Sequence, residues 1–220
     1  MKRVILVLLL TPLTQALPAQ QRPELTVTFV GNMAVHVTDG KSSFLTDFPY
    51  ESGAFGYMDW QERLVPEDGP KALCIVTHAH RDHFEPDPAS EYCARLLGPA
   101  DATAGWGGDV LPISDVVRLD GLAIRPIRTP HAGLEHYSYR VSWHGRELYF
   151  TGDTEDPSAL LGQKGLDVAF VSPWLLDSVI EKEKRVDARQ VVVYHHRPGT
   201  TDSPYPGANV PTQGESWVIP

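Results

Sequence analysis

From residue 25 onward the chain is written in short apolar runs, each closed by glycine, proline or an acidic residue. In the first, Leu25, Val27 and Phe29 alternate with Thr26 and Thr28, the period-two pattern of a half-buried strand rich in β-branched residues. Similar runs predict strands over 34–38 and 43–47, with Gly31-Asn32 and Asp39-Gly40 as the intervening turns, the latter a tight hairpin. Further strands are predicted over 72–77, 115–119, 122–127, 137–143, 147–151, 168–171, 190–194 and, at the end, 215–219. Helical signals are fewer. A helix is expected over 88–97, with Pro88 in its first turn and Gly98 at its end, and another over 157–161 after Glu155-Asp156. A third runs from Pro173 into the mixed charges of 181–185, most simply a solvated face. Pro198 to Pro206 is turn-rich and is expected to cross the surface. No repeat or long linker divides the pattern, so it reads as one α/β domain spanning 20–220.

Residues 1–19 read differently. Lys2 and Arg3 precede an apolar run from Val4 to Leu10, then Pro12 and small residues at Ala16 and Ala19, the pattern of a signal peptide cleaved after one of those alanines. A membrane span needs roughly 20 apolar residues, and Thr11, Pro12, Thr14 and Gln15 interrupt this run, so no stable span is expected after cleavage. Export to a periplasm or to the outside follows. Cleavage removes Lys2 and Arg3 and no acid, leaving 17 basic against 28 acidic residues and a net charge of −11. Such a surface repels phosphate backbones, which disfavours nucleic acid and leaves a small molecule as the expected partner. Oligomeric state is left open. Cys74 and Cys93 would meet an oxidising compartment, but Cys74 lies in the apolar run 72–76 and reads first as a small buried hydrophobe, with pairing undecided.

The chemistry concentrates at Thr77-His78-Ala79-His80-Arg81-Asp82-His83, directly after an apolar strand. Imidazole nitrogens and carboxylate oxygens suit divalent zinc, manganese or iron. An extended strand end would point His78 and His80 to one side. The turn that follows would carry Asp82 and His83 to a neighbouring position, giving donors for a second ion rather than one closed site. Three histidines and an aspartate at this spacing set the stretch apart from an ordinary His-rich surface loop.

His-Ala-His-Arg-Asp-His resembles the HxHxDH signature of the metallo-β-lactamase superfamily, and chain order extends the resemblance. His131 follows a strand, Asp153 ends the next apolar strand, and His195 ends the run 191–194; these are similar to the family's third histidine, bridging aspartate and final histidine. Val27 to Gly31, Phe44 to Asp47 and Gln213-Gly214-Glu215 carry the likeness across the mature chain. The resemblance implies a four-layer αββα sandwich with two divalent ions, zinc first and manganese or iron as alternatives, at one edge. His78, His80 and His131 would hold one ion; Asp82, His83 and His195 the other; Asp153 would bridge, and His196 is the alternative final ligand. It further implies hydrolysis of a small ester, lactone or amide by a metal-bridging hydroxide that Asp82, the expected catalytic residue, orients. Phosphodiester cleavage is the alternative, for which Arg81, Arg128 and Arg197 near the ligand segments would matter, and a metal-binding or sensory protein without turnover is the reading from another class. His83 after the motif aspartate, and no cysteine at a ligand position, set the chain apart from many true β-lactamases of the superfamily. Its compact layout looks more like the ascorbate-6-phosphate-lactonase-like branch.

Other residues are read more plainly. His36 and His144 are expected at ordinary surface or edge positions. His136 and Tyr137 read as structural residues that could border the pocket. Asp47 resembles an aspartate kept near the metal edge and is expected to hydrogen-bond a ligand histidine. Phe55, Tyr57 and Trp60, in a Gly-rich segment, are expected in a flap over the site.

Overall fold

The structure, a computed structural model, describes residues 22–65 and 71–219; the expected signal peptide lies outside the described residues. Leu25–Gly31 (β1), Ala34–Thr38 (β2) and Ser43–Thr46 (β3) form the antiparallel meander that their alternation predicts. Ala72–Ile75 (β4) leads to Pro86–Tyr92 (α1), Cys93–Leu97 (β5), Ala100–Thr103 (α2) and Asp109–Leu111 (β6). Val117–Leu119 (β7), Leu122–Arg128 (β8), Tyr137–Trp143 (β9) and Arg146–Phe150 (β10) follow as antiparallel neighbours. Ser158–Leu161 (α3), Leu166–Val171 (β11), Pro173–Glu181 (α4), Ala188–Val193 (β12) and Ser216–Ile219 (β13) complete the order.

Two mixed sheets result, one ordered β13-β1-β2-β3-β4-β5-β6 and the other β12-β11-β10-β9-β8-β7. Period-two alternation gives each strand two faces, and both faces are used. Leu73 and Ile75 of β4, Leu148 and Phe150 of β10, and Val168 and Phe170 of β11 meet in one core between the sheets. Their alternate neighbours Cys74 and Val76 pack outward with Ala89 of α1 and Ala102 of α2, while Tyr149, Ala169 and Val171 pack outward with Leu160 of α3 and Leu175, Leu176 and Val179 of α4. This is the expected αββα sandwich, with thin helical layers and in one domain.

The helix expected over 88–97 is half right. It begins at Pro86 and gives way at Cys93 to β5, which pairs in parallel with β4. Leu96 and Leu97 are consecutive and fully buried on opposite faces of the sheet, an arrangement that period two provides and a helix does not. The same pairing settles the cysteines. Cys93 lies beside Ala72, two residues from Cys74 and on the same outer face, and the two cysteines form a disulfide with Cα atoms 5.6 Å apart, correcting the reading of Cys74 as a plain buried thiol. His36 is also a correction: it sits inside the sheet between Thr28 and Leu45, buried, which pushes its imidazole down to about 4. His144 is an ordinary turn residue, its Nε2 2.8 Å from Asp39 Oδ2. Residues 182–185 are exposed as expected.

Candidate metal centre

β4, β8, β10 and β12 end at one edge of the sandwich, and the segments leaving them carry the predicted residues. Beyond β4, Val76 still donates to Leu97 O, after which the chain turns through His78–His83, closed by His83 N–H donating to His80 O at 2.9 Å. Beyond β10, Gly152 takes φ 62°, a left-handed turn that swings Asp153 inward. Beyond β12, His195 itself takes φ 54°.

All seven predicted ligands come together. His78, His80, His131 and Asp153 form one group of donor atoms and Asp82, His83 and His195 another, each within 4.8 Å. In the first, His80 Nδ1 stands 2.9 Å from His78 Nε2 and 3.4 Å from His131 Nε2. In the second, His83 Nε2 and His195 Nε2 are 3.1 Å apart, and Asp82 Oδ2 lies 3.4 Å from His195 Nε2. Asp153 joins the groups, its Oδ2 3.3 Å from His83 Nε2 and its Oδ1 3.3 Å from His195 Nε2. Tetrahedral bonds of about 2.0–2.1 Å place ligand atoms about 3.3 Å apart, so these spacings fit divalent ions. Asp82 Oδ1 and Asp153 Oδ1 are buried without a hydrogen-bond partner among the described residues, further capacity that a cation would use. His196 is no rival to His195: its ring nitrogens lie 3.1 Å from the carbonyls of Arg197 and Pro211, and it stacks on Phe29.

The remaining ring nitrogens are held from behind. Thr77 Oγ1 meets His78 Nδ1 at 3.0 Å. Asp47 Oδ2 lies 3.2 Å from His83 Nδ1, as expected, while Asp47 Oδ1 accepts the Thr77 N–H at 2.7 Å. Such contacts leave the opposite nitrogens aimed at the site. His136, read from sequence as structural, is tied to it: its Nε2 accepts the Asp153 N–H at 2.9 Å and its Nδ1 meets Thr129 Oγ1 at 2.8 Å. Asn32, read only as a turn residue, bonds to both Asp82 and His195. Neither role has a sequence signal, because both depend on contacts between distant segments.

Burial sets the electrostatics. It lowers His78 and His80, whose histidine neighbours add to the effect, and takes His136 down to about 3, so these rings are neutral with lone pairs available. Burial also pulls on His83 and His195, but Asp153 and the other adjacent carboxylates overcome it and raise both imidazoles. Those two rings in turn hold Asp153 well below the usual carboxylate range against the opposing effect of burial. The carboxylates thus favour positive charge on this side of the site, which a divalent ion would supply.

The expected flap divides. Tyr57 presents its ring edge-on to His195 with centroids 4.1 Å apart, and Trp174, from α4, does so at 5.1 Å. Trp60 instead packs against Phe48 and Tyr92 in the outer layer, because the segment folds back on α1. Arg197 lies 4.0 Å over Tyr57 and donates to Phe55 O, while Arg81 lies 4.7 Å over Phe55 and pairs with Glu51 at 3.1 Å.

No family model matches the chain, and no curated protein does. Solved structures match nearly all of it. A metallo hydrolase from Ignicoccus hospitalis, Igni18, aligns with TM-score 0.66 at 18% identity, covering 90% of this chain and 99% of its own. The metallo-β-lactamase fold protein YhfI from Bacillus subtilis gives 0.67 at 15%, covering 89% and 99%. A diphosphatase from the PhnP family gives 0.62 at 13%, covering 89% and 97%. The chain therefore has the metallo-β-lactamase fold, with a His/Asp cluster at the edge of its sheets that could hold metal ions.

Proposed function

We propose that the protein is an exported hydrolase that holds two divalent metal ions and cleaves a small ester, lactone or amide. The observation that carries this reading is the meeting of two donor groups at one carboxylate, Asp153. His78, His80 and His131 would hold one ion, Asp82, His83 and His195 the other, with Asp153 between. Zinc suits a set this rich in imidazole; manganese or iron are the alternatives. Such a pair supplies Lewis acidity and a water acidified towards neutral pH. Asp82 keeps one oxygen 3.4 Å from His195 and leaves the other without a hydrogen-bond partner, so it can orient a water as the catalytic carboxylate. Tyr57 and Trp174 exclude solvent from the His195 side. Arg81 and Arg197, which a phosphate would need free, are engaged with Glu51, Phe55 and Tyr57, and this favours a carbonyl substrate.

Phosphodiester cleavage is the second reading. The fold shared with a diphosphatase and the exposed Arg128 at the end of β8 favour it. Export is supported by the N-terminal pattern of residues 1–19 and by the Cys74–Cys93 disulfide, a bond that persists in oxidising compartments.

The test is metal analysis of the purified mature protein together with turnover of ester, lactone, amide and phosphodiester substrates by wild type and Asp82→Asn. Close to two ions per chain, with carbonyl turnover lost in the variant, is the expected result. Turnover confined to phosphodiesters would select the second reading, and two ions without any turnover would make the protein a metal-binding one. Well under one ion in metal-replete buffer would overturn the proposal. Export is tested separately by N-terminal sequencing of protein from the periplasm or medium, which should begin just after Ala16 or Ala19.

A further inference from the structure

Asn32 sits in the turn between β1 and β2, fully buried, with φ 53°. Its main-chain carbonyl accepts the His195 N–H at 2.7 Å, and its Nδ2 donates to the main-chain carbonyl of Asp82. One residue thus grips the peptide at each of two members of the Asp82/His83/His195 group, and these bonds reach no member of the other group. Its remaining amide atom, Oδ1, is buried with no hydrogen-bond partner among the described residues. A half-satisfied buried amide is costly to a fold. The turn alone does not require it, since glycine adopts the same left-handed backbone without that cost. The expense is explained if the Nδ2 bond serves something other than the turn, and the one group it serves is the Asp82 peptide.

We infer that Asn32 is a positioning residue for the second ion. It clamps the Asp82 peptide to the end of β12, and this fixes the 3.4 Å approach of Asp82 Oδ2 to His195 Nε2. The other group is set by different means: His78 leans on Thr77, and the Asp153 N–H is held by His136. Loss of the clamp therefore weakens one ion and spares the other. This inference rests on the two-ion reading of the site.

The experiment is competition of full-length mature protein against a chromophoric chelator for Zn²⁺, which resolves stepwise affinities without any substrate. Asn32→Gly keeps the left-handed turn and removes the side chain; Asn32→Asp keeps the size and removes the Nδ2 donor. In both variants one affinity should fall about 10- to 100-fold, the usual effect of removing a contact that orients a ligand, while the other holds within about threefold. A merely structural role would loosen both sites together, so equal losses at both overturn the inference. So do wild-type affinities in Asn32→Asp, or metal-free variants whose near-ultraviolet circular dichroism shows a lost fold. Wild type that binds a single ion overturns the two-ion reading and this inference with it, whereas two wild-type ions with no split in the variants sink this inference alone.

Discussion

Opening the Cys74–Cys93 bond should destabilise the protein by about 3 kcal/mol while leaving it folded. The bond joins residues 19 apart. The chain-entropy relation assigns roughly 3 kcal/mol to closing a loop of this size in the unfolded chain. Little offsets that on the folded side. The cysteines are 0% and 3% exposed within the apolar outer layer, beside Ala72, Val76 and Ala89. The variant of choice is therefore Cys74→Ala with Cys93→Ala, which leaves no new polar group there, whereas serine would bury a hydroxyl. Urea unfolding followed by tryptophan fluorescence reads the effect. With m of about 2–3 kcal/mol/M for a domain of this size, the midpoint should fall by about 1–1.5 M in the double variant. Wild type in reductant should fall by a similar amount, provided urea first exposes the bond. Two thiols titrating in the unreduced, denatured wild type would refute the bond. An unchanged midpoint after reduction would refute the entropic reasoning.

Three further predictions come from single residues. A Cβ on Gly152 would collide with the buried His136 ring, reach 3.1 Å from Thr77 Cβ and sit at φ 62°, so Gly152→Ala should cost on the order of 2–3 kcal/mol; an unchanged melting temperature by calorimetry would count against this packing. His36 is held down to about 4 from an ordinary 6.5, so the unfolded chain takes its proton first and stability drains as pH falls through that window. The limit is about 3 kcal/mol at 1.36 kcal/mol per pH unit, and His36→Gln should flatten the decline between urea midpoints measured at pH 7 and pH 4.5. Asp47→Asn removes the carboxylate 3.2 Å from His83 Nδ1, and metal affinity by chelator competition should drop about 10- to 100-fold. Undiminished affinity would show that Thr77 Oγ1, 3.3 Å from the same Nδ1, suffices to orient that ring.

Much of the architecture was legible because it rests on local pattern. Alternation located β2 and β9 to the residue, and the turn at Asp39-Gly40 followed from turn chemistry. The ligands His78, His80, Asp82 and His83 were legible because they lie within six residues and their grouping needs only a strand end and a turn. His131, Asp153 and His195 could be named by chain order after apolar strands. The misreadings share a cause. Whether 93–97 is helix or strand is decided by β4 alongside, since a short apolar run satisfies both periods until a neighbour supplies its hydrogen bonds. The same β4–β5 pairing decided whether Cys74 was a thiol or half of a disulfide, and the strands flanking β2 decided that His36 is buried.

The tertiary structure also separated residues whose sequence surroundings are alike. His195 and His196 are adjacent, and only the left-handed turn at His195 sends one ring to the carboxylates and the other to Phe29. Asn32, His136 and Tyr57 acquire their roles from segments far away in the chain. The sequence by itself determined most of the strands but not β5 or β6, together with the donor chemistry and the edge where donors gather, because side-chain period and ligand type are properties of neighbouring residues. Only the folded sandwich decided which nitrogen faces which oxygen and what holds it there, because those distances arise when chain ends dozens of residues apart are packed against one another.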